Sequence, residues 1–216
     1  MKHRAVIFDF DGTLLDTLRD LAESVNTVLH RSRFPEHNLE AYRHFVGEGI
    51  EELARRVLPE GHRDEATITR TLTDVREEYR QRWPNHTRPY EGIPELLDAL
   101  TARGVKMAIV TNKPDDSTRT MAARLLPRWR FDAIVGATAD MPRKPDPKGA
   151  LEVARRLRLP PGAFLYVGDS DIDMKTANAA GMYAVGVLWG FRSADELVKN
   201  GAKVLIRKPL ELLELL

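Results

Sequence analysis

The sequence predicts an α/β protein built on a mainly parallel sheet, with a helical segment inserted after the first strand. Three observations carry that expectation. Short runs rich in β-branched and aromatic residues recur along the chain, with helical patterns between them. One long stretch, from about Thr17 to about Arg82, shows no strand pattern. Acidic and polar residues sit just past several of the strand-like runs, where open parallel sheets place their ligands.

The first run, Ala5-Val6-Ile7-Phe8, reads as a buried parallel strand, and the Asp9-Phe10-Asp11-Gly12 that follows reads as a loop. Val105 to Val110, Phe131 to Val135, Phe164 to Val167, Ala184 to Leu188 and Lys203 to Ile206 read as strands too. Leu96, Leu97 and Leu100 form an apolar stripe on a helix over 93–103, which Gly104 stops. Ala150, Leu151, Val153, Ala154 and Leu157 do the same over 147–158, ahead of Pro160-Pro161. Within the strand-free stretch, Leu18, Leu21, Ala22, Val25, Val28 and Leu29 share one helical face. Leu53, Val57 and Leu58 predict a shorter helix, and Ala66 to Trp83 another. Pro35, Gly47, Gly49, Pro59 and Gly61 mark the breaks. The expected domains are a core from 1–15 and 84–216, and a helical domain over 16–83.

Composition narrows the function classes. The 216 residues are 43% hydrophobic and 30% charged, with a formal net charge of +1. That argues against disorder and against a basic field large enough for nucleic acid. With no cysteine, disulfides, thiolate catalysis and cysteine-held metals are excluded. The six histidines show no metal-ligand spacing. Met1-Lys2-His3-Arg4 is basic, but the apolar run after it is short and broken by Asp9 and Asp11. It reads as a strand, not a signal peptide. No segment is apolar over a membrane-spanning length. The expectation is a cytoplasmic protein, monomer or homodimer, with neither membrane nor nucleic acid as partner.

Four separate regions supply polar residues to one rim of the sheet. Asp9 and Asp11 follow the first strand, and Gly12 lets the chain turn so that both address one site. Two acids held close need a cation, or one must stay protonated. Mg²⁺ suits such oxygen ligands and suits phosphate. The alternative is that Asp-Gly simply makes a turn. Asp169, Asp171 and Asp173 open the helix after 164–167, where either Asp169 or Asp171 would also serve as a cap. Thr111-Asn112 ends a strand and suits phosphoryl oxygens, or else caps the next helix. Lys144, stiffened by Pro145 and Pro147, suits a phosphate, or else is a solvated loop lysine.

Asp9-Phe10-Asp11-Gly12-Thr13-Leu14, Thr111-Asn112, Lys144-Pro145-Asp146-Pro147 and Gly168-Asp169 with Asp173 occur in that order. Together they resemble the four motifs of the haloacid-dehalogenase superfamily of phosphohydrolases. The resemblance runs from about residue 5 to about 190. Phe45-Val46-Gly47-Glu48-Gly49, Asp16-Thr17 and Val167-Gly168-Asp169-Ser170 look like those of phosphoglycolate phosphatases within it.

The resemblance implies a Rossmann-like core with a helical cap that closes over the site. It implies Asp9 as nucleophile and Asp11 as acid and base, with Asp11 also touching Mg²⁺ through its main-chain carbonyl. Asp169 would be the other metal carboxylate, and Asp173 would support the metal and orient Lys144. Thr111, Asn112 and Lys144 would hold the transferring phosphoryl group. Arg43, Gly47, Glu48 and Gly49 would belong to the substrate-selecting part of the cap, with His44 nearby. The implied reaction is Mg²⁺-dependent hydrolysis of a small phosphorylated metabolite, 2-phosphoglycolate first. A pyrophosphatase or sugar-phosphate phosphatase of the same family stays open, as does a non-catalytic phosphate-binding protein. A receiver domain lacks the insert and the Asp9/Asp11 pair followed by Gly-Thr. A phosphonatase would need a lysine in the cap, and none lies between Lys2 and Lys106. A mutase is disfavoured by Thr13.

Overall fold

The computed structural model describes residues 3–216, so Met1 and Lys2 of the basic N-terminal run lie outside the described residues. In chain order the elements are β1 (Ala5–Phe8), β2 (Leu15–Asp16), α1 (Leu18–Arg31), α2 (Leu39–Phe45), α3 (Ile50–Val57), α4 (Glu65–Arg82) and β3 (Arg88–Pro89). They continue with α5 (Ile93–Ala102), β4 (Lys106–Pro114), α6 (Asp115–Leu125), β5 (Ala133–Ala137), α7 (Lys148–Leu157) and β6 (Phe164–Gly168). The last are α8 (Asp171–Ala179), β7 (Tyr183–Val187), α9 (Ala194–Lys199), β8 (Val204–Ile206) and a 3-10 segment, Pro209–Leu215. The chain divides into two compact units. One takes the chain up to Leu15 together with Pro89–Leu216, and the other is Asp16–Arg88.

The first unit holds a six-stranded sheet in the order β5-β4-β1-β6-β7-β8. Every pairing in it is parallel. Parallel strands need crossover helices on both faces, which explains why β1 is apolar along its length and has all four residues at 0% exposure. Ile7, Val110, Val135, Val153, Tyr166, Met174 and Leu197 pack in one buried cluster. Truncating a buried residue such as Phe8 to alanine should cost about 3–5 kcal/mol. Because β1 and β6 are neighbours in register, the residues that follow them emerge side by side. The leucine-rich tail packs on α5: Leu212 is fully buried and Pro209 lies against Gly92. His3 Nδ1 meets the Leu215 carbonyl at 2.7 Å.

Two expectations shift at the sheet. The strand over 105–110 runs on to Pro114, with a register irregularity between Val110 and Pro114. Thr111-Asn112 thus lies within β4, not beyond it. The run read as 131–135 starts pairing only at Ala133 and extends to Ala137.

The second unit is helical. The predicted stripe of α1 is its buried face, and α1 packs on α4. Asn38 and Asp64 cap α2 and α4 through side-chain acceptors. Asp20, buried in the first turn of α1, accepts from His86 N at 2.9 Å, Thr87 N at 2.7 Å and Thr87 Oγ1 at 2.8 Å. This one carboxylate clasps the segment by which the chain leaves the unit to the helix by which it enters.

Candidate active site

Asp9 follows β1, and its N–H donates to the Val167 carbonyl of β6 at 2.9 Å. Asp169 follows β6, and Asp173 lies in the first turn of α8. Carboxylate oxygens of these three residues lie within 4.8 Å of one another, and all three are buried. Lys144 enters from the segment between β5 and α7 with 4% of its side chain exposed. Its Nζ lies 2.7 Å from Asp9 Oδ1 and donates to Asp173 Oδ1 at 2.8 Å. The one ammonium is thus the cationic neighbour of both Asp9 and Asp173. The solvated-loop alternative for Lys144 does not hold.

Burial sets the electrostatics. It raises Asp9 well above the ordinary carboxylate range; the charge of Asp173 adds to this, and Lys144 opposes it. Burial and then Asp173 push Asp169 up to about 7, against the pull of the Phe191 N–H and the Thr13 hydroxyl. Burial alone would lower Lys144, but Asp173 and Asp9 more than offset it and hold its ammonium charged. Three carboxylates share one ammonium, leaving the cluster two positive charges short when fully ionised. An oxygen-only, anionic set short of positive charge fits a hard divalent cation, which brings the missing charge.

Asp173 does two jobs with two oxygens. Oδ1 takes Lys144, while Oδ2 accepts from Ser170 N at 3.1 Å and Ser170 Oγ at 2.6 Å. Ser170 is the N-cap of α8, and with Asp173 it closes a capping box. The cap role expected of Asp169 or Asp171 therefore falls to Ser170 and Asp173. Asp171 instead pairs with Lys175 at 2.6 Å.

Asn112 fixes the lysine from its main chain. Its Nδ2 donates to the Lys144 carbonyl at 3.0 Å, and its Oδ1 accepts the Lys144 N–H at 2.8 Å. Thr111 is buried beside it, and its Oγ1 accepts from Lys113 N at 3.2 Å. Neither caps α6, whose N-cap is Pro114. The Asp11 carboxylate is not part of the buried trio. It pairs with Lys113, whose Nζ lies 3.2 Å from both of its oxygens.

Sequence reasoning missed Lys113. No periodicity signals it, because the register of β4 is irregular between Val110 and Pro114. Sequence reasoning gave no role to Trp189 either. Its Nε1 donates to the Thr13 carbonyl at 3.0 Å, and the Phe191 N–H two residues on reaches Asp169 Oδ2 at 2.8 Å. Thr13 Oγ1 donates to Asp169 Oδ1 at 3.0 Å.

The cap candidates lie in the helical unit. Arg43 pairs with Glu40 at 3.0 Å in α2, and Glu48, between Gly47 and Gly49, pairs with Arg56 of α3. Asp20, Glu23 and His86 form a second close group of possible metal donors. Asp20 there is filled by the donors named above, and Glu23 is engaged by Arg19 at 2.9 Å. Among the described residues no helix is long and apolar enough to cross a membrane.

The profile of haloacid dehalogenase-like hydrolases matches residues 6–187. A phosphoglycolate phosphatase of Nitrosospira multiformis is 36% identical over 199 residues, covering 90% of this chain and 87% of that protein. One from Aquifex aeolicus is 29% identical and covers 99% of this chain and 96% of its own. The solved structure of a Lactobacillus delbrueckii subsp. bulgaricus protein, provisionally named a phosphoglycolate phosphatase, superposes with a TM-score of 0.94 at 31% identity. It covers 100% of this chain and 98% of its own.

Proposed function

Since the chain belongs to the haloacid dehalogenase-like hydrolases, we propose that it is a Mg²⁺-dependent phosphomonoesterase acting on a small phosphorylated metabolite, 2-phosphoglycolate foremost. The observation that carries this reading is the buried contact chain Asp9–Lys144–Asp173 beside Asp169. Asp9 attacks phosphorus and becomes an aspartyl-phosphate, which water then hydrolyses. Lys144 stands at the attacking carboxylate, where charge builds on the transferring group, and offsets it. Thr111 adds a hydroxyl on the same rim, and Asn112 keeps Lys144 in place.

Asp11 protonates the leaving oxygen and takes a proton from the attacking water. Lys113 holds its carboxylate in position between the two steps. Asp9 and Asp169 would hold the Mg²⁺, with Asp11 joining through its main-chain carbonyl. When bound, the ion polarises the phosphoryl oxygens as a Lewis acid. Arg43, Gly47, Glu48 and Gly49 are proposed to select the substrate. The choice of phosphoglycolate rests on the names of the relatives.

The test is phosphate release with Mg²⁺ from 2-phosphoglycolate, pyrophosphate, several sugar phosphates and p-nitrophenyl phosphate. The expected result is a clear preference for 2-phosphoglycolate, falling to background in Asp9→Asn. Retained turnover in Asp9→Asn would remove Asp9 as nucleophile. Preference for pyrophosphate or a sugar phosphate would move the substrate while leaving the chemistry in place.

A further inference from the structure

Asp169 is enclosed on all sides. It is 1% exposed, and each of its oxygens already has one fixed donor: Thr13 Oγ1 on Oδ1 and Phe191 N on Oδ2. Main chain approaches it from two sides. A Cβ added to Gly12 would collide with the carboxylate, and one added to Gly190 would collide with the Cβ and Cγ of the same side chain. The two segments are tied together by Trp189 Nε1 on the Thr13 carbonyl. The contacts close a ring: Asp169 to Phe191, along the chain to Trp189, across to Thr13, and back to Asp169. A carboxylate gripped in this way keeps its remaining lone pairs in fixed directions.

We propose that the loop Trp189-Gly190-Phe191 is a clamp that fixes the Asp169 carboxylate in the orientation that takes a divalent cation, and so sets the protein's metal affinity. The inference rests on the reading of Asp169 as a metal carboxylate. Gly190 is required because no side chain fits between the loop and Asp169. Trp189 is the strut that keeps the loop at that distance. These are positioning residues and touch neither substrate nor metal.

The experiment is calorimetric titration of Mg²⁺ and of Mn²⁺ into the full chain, wild type and Gly190→Ala, with unfolding midpoints recorded in chelator. Partners that orient a ligand are worth roughly 10–100-fold in metal affinity, so Gly190→Ala should weaken Kd by about that factor. The added Cβ overpacks the site, so its midpoint in chelator should fall as well, and Kd is compared at a temperature where both proteins are folded. Gly162→Ala is the control, since a Cβ there meets nothing within 4 Å. A folded Gly190→Ala with wild-type Kd overturns the clamp. If Gly190→Ala does not fold, Trp189→Phe decides, because it removes the indole donor while keeping an aromatic ring. A Kd weakened several-fold supports the clamp, and an unchanged Kd overturns it. A wild-type protein that binds neither ion overturns the metal reading and the clamp with it, whereas binding with no effect of either variant overturns the clamp alone.

Discussion

Replacing Lys144 by methionine removes the ammonium that contacts the carboxylate cluster while nearly keeping the volume of the side chain. The main-chain bonds to Asn112 survive, so the segment should stay in place. Lost are the 2.7 Å contact to Asp9 and the 2.8 Å bond to Asp173, both away from solvent. Removing one partner of a buried ion pair costs about 3–5 kcal/mol, chiefly because a charge is left uncompensated. The expected loss of stability in chelator is therefore about 3–5 kcal/mol, and it should shrink when Mg²⁺ is present to supply positive charge. Turnover should fall by about 10²–10³-fold, the usual effect of losing one preorganised charge at a developing anion. With two compact units, a single unfolding curve would mix transitions. Hydrogen exchange at the Asp9 N–H, which bonds to Val167 in the sheet, reads the relevant unit directly. A Lys144→Met protein within about 1 kcal/mol of wild type, and within about threefold in kcat, would refute the reasoning.

Asp20→Ala strands three donors at His86 and Thr87, and should destabilise the helical unit by about 3–5 kcal/mol in a urea titration followed by exchange at those amides. A change under about 1 kcal/mol would mean that the clasp contributes little. Asp115 gives a dependence on pH. Burial alone would raise its pKa, but Arg119 and the Gly136 N–H outweigh burial and leave it below the ordinary 3.8. Its contribution is thus complete above about pH 4 and lost as pH falls through the lowered value. Asp115→Asn should flatten the acid limb of the stability curve, and an unchanged limb would count against this assignment. Chelation should abolish phosphate release and lower the unfolding midpoint, both restored by Mg²⁺; rates unaffected by chelator would take the metal out of the mechanism.

The strands could be read from the sequence because parallel strands buried on both faces leave continuous apolar runs, as in Ala5–Phe8 and Phe164–Val167. The acidic motifs were legible because each sits at the end of such a run. What escaped was pairing across long sequence separations. Thr13 meets Asp169 from 156 residues away, and Asp20 meets Thr87 from 67. No local pattern announces either bond. The end of β4 was misread because Thr111-Asn112-Lys113 loses the apolar signature and pairing with β5 resumes only at Pro114. β2 and β3, at two residues each, are too short to leave any periodicity. Asn112 was read for its phosphate chemistry, and the two bonds its side chain makes to the main chain of Lys144 were not foreseen.

The Asp20 clasp has a consequence for how such a chain can change over time. Residues 20, 86 and 87 are bound to one another, so the helical segment enters and leaves through a single stapled gate. A segment whose two ends are already joined places almost no demand on the loop that receives it, because little closure entropy is left to overcome. It can be lengthened, shortened or exchanged for another helical cassette while the strand before it and the helix after it keep their sequence. The acidic residues at the sheet rim and the residues of the insert are thereby free to drift under separate selection.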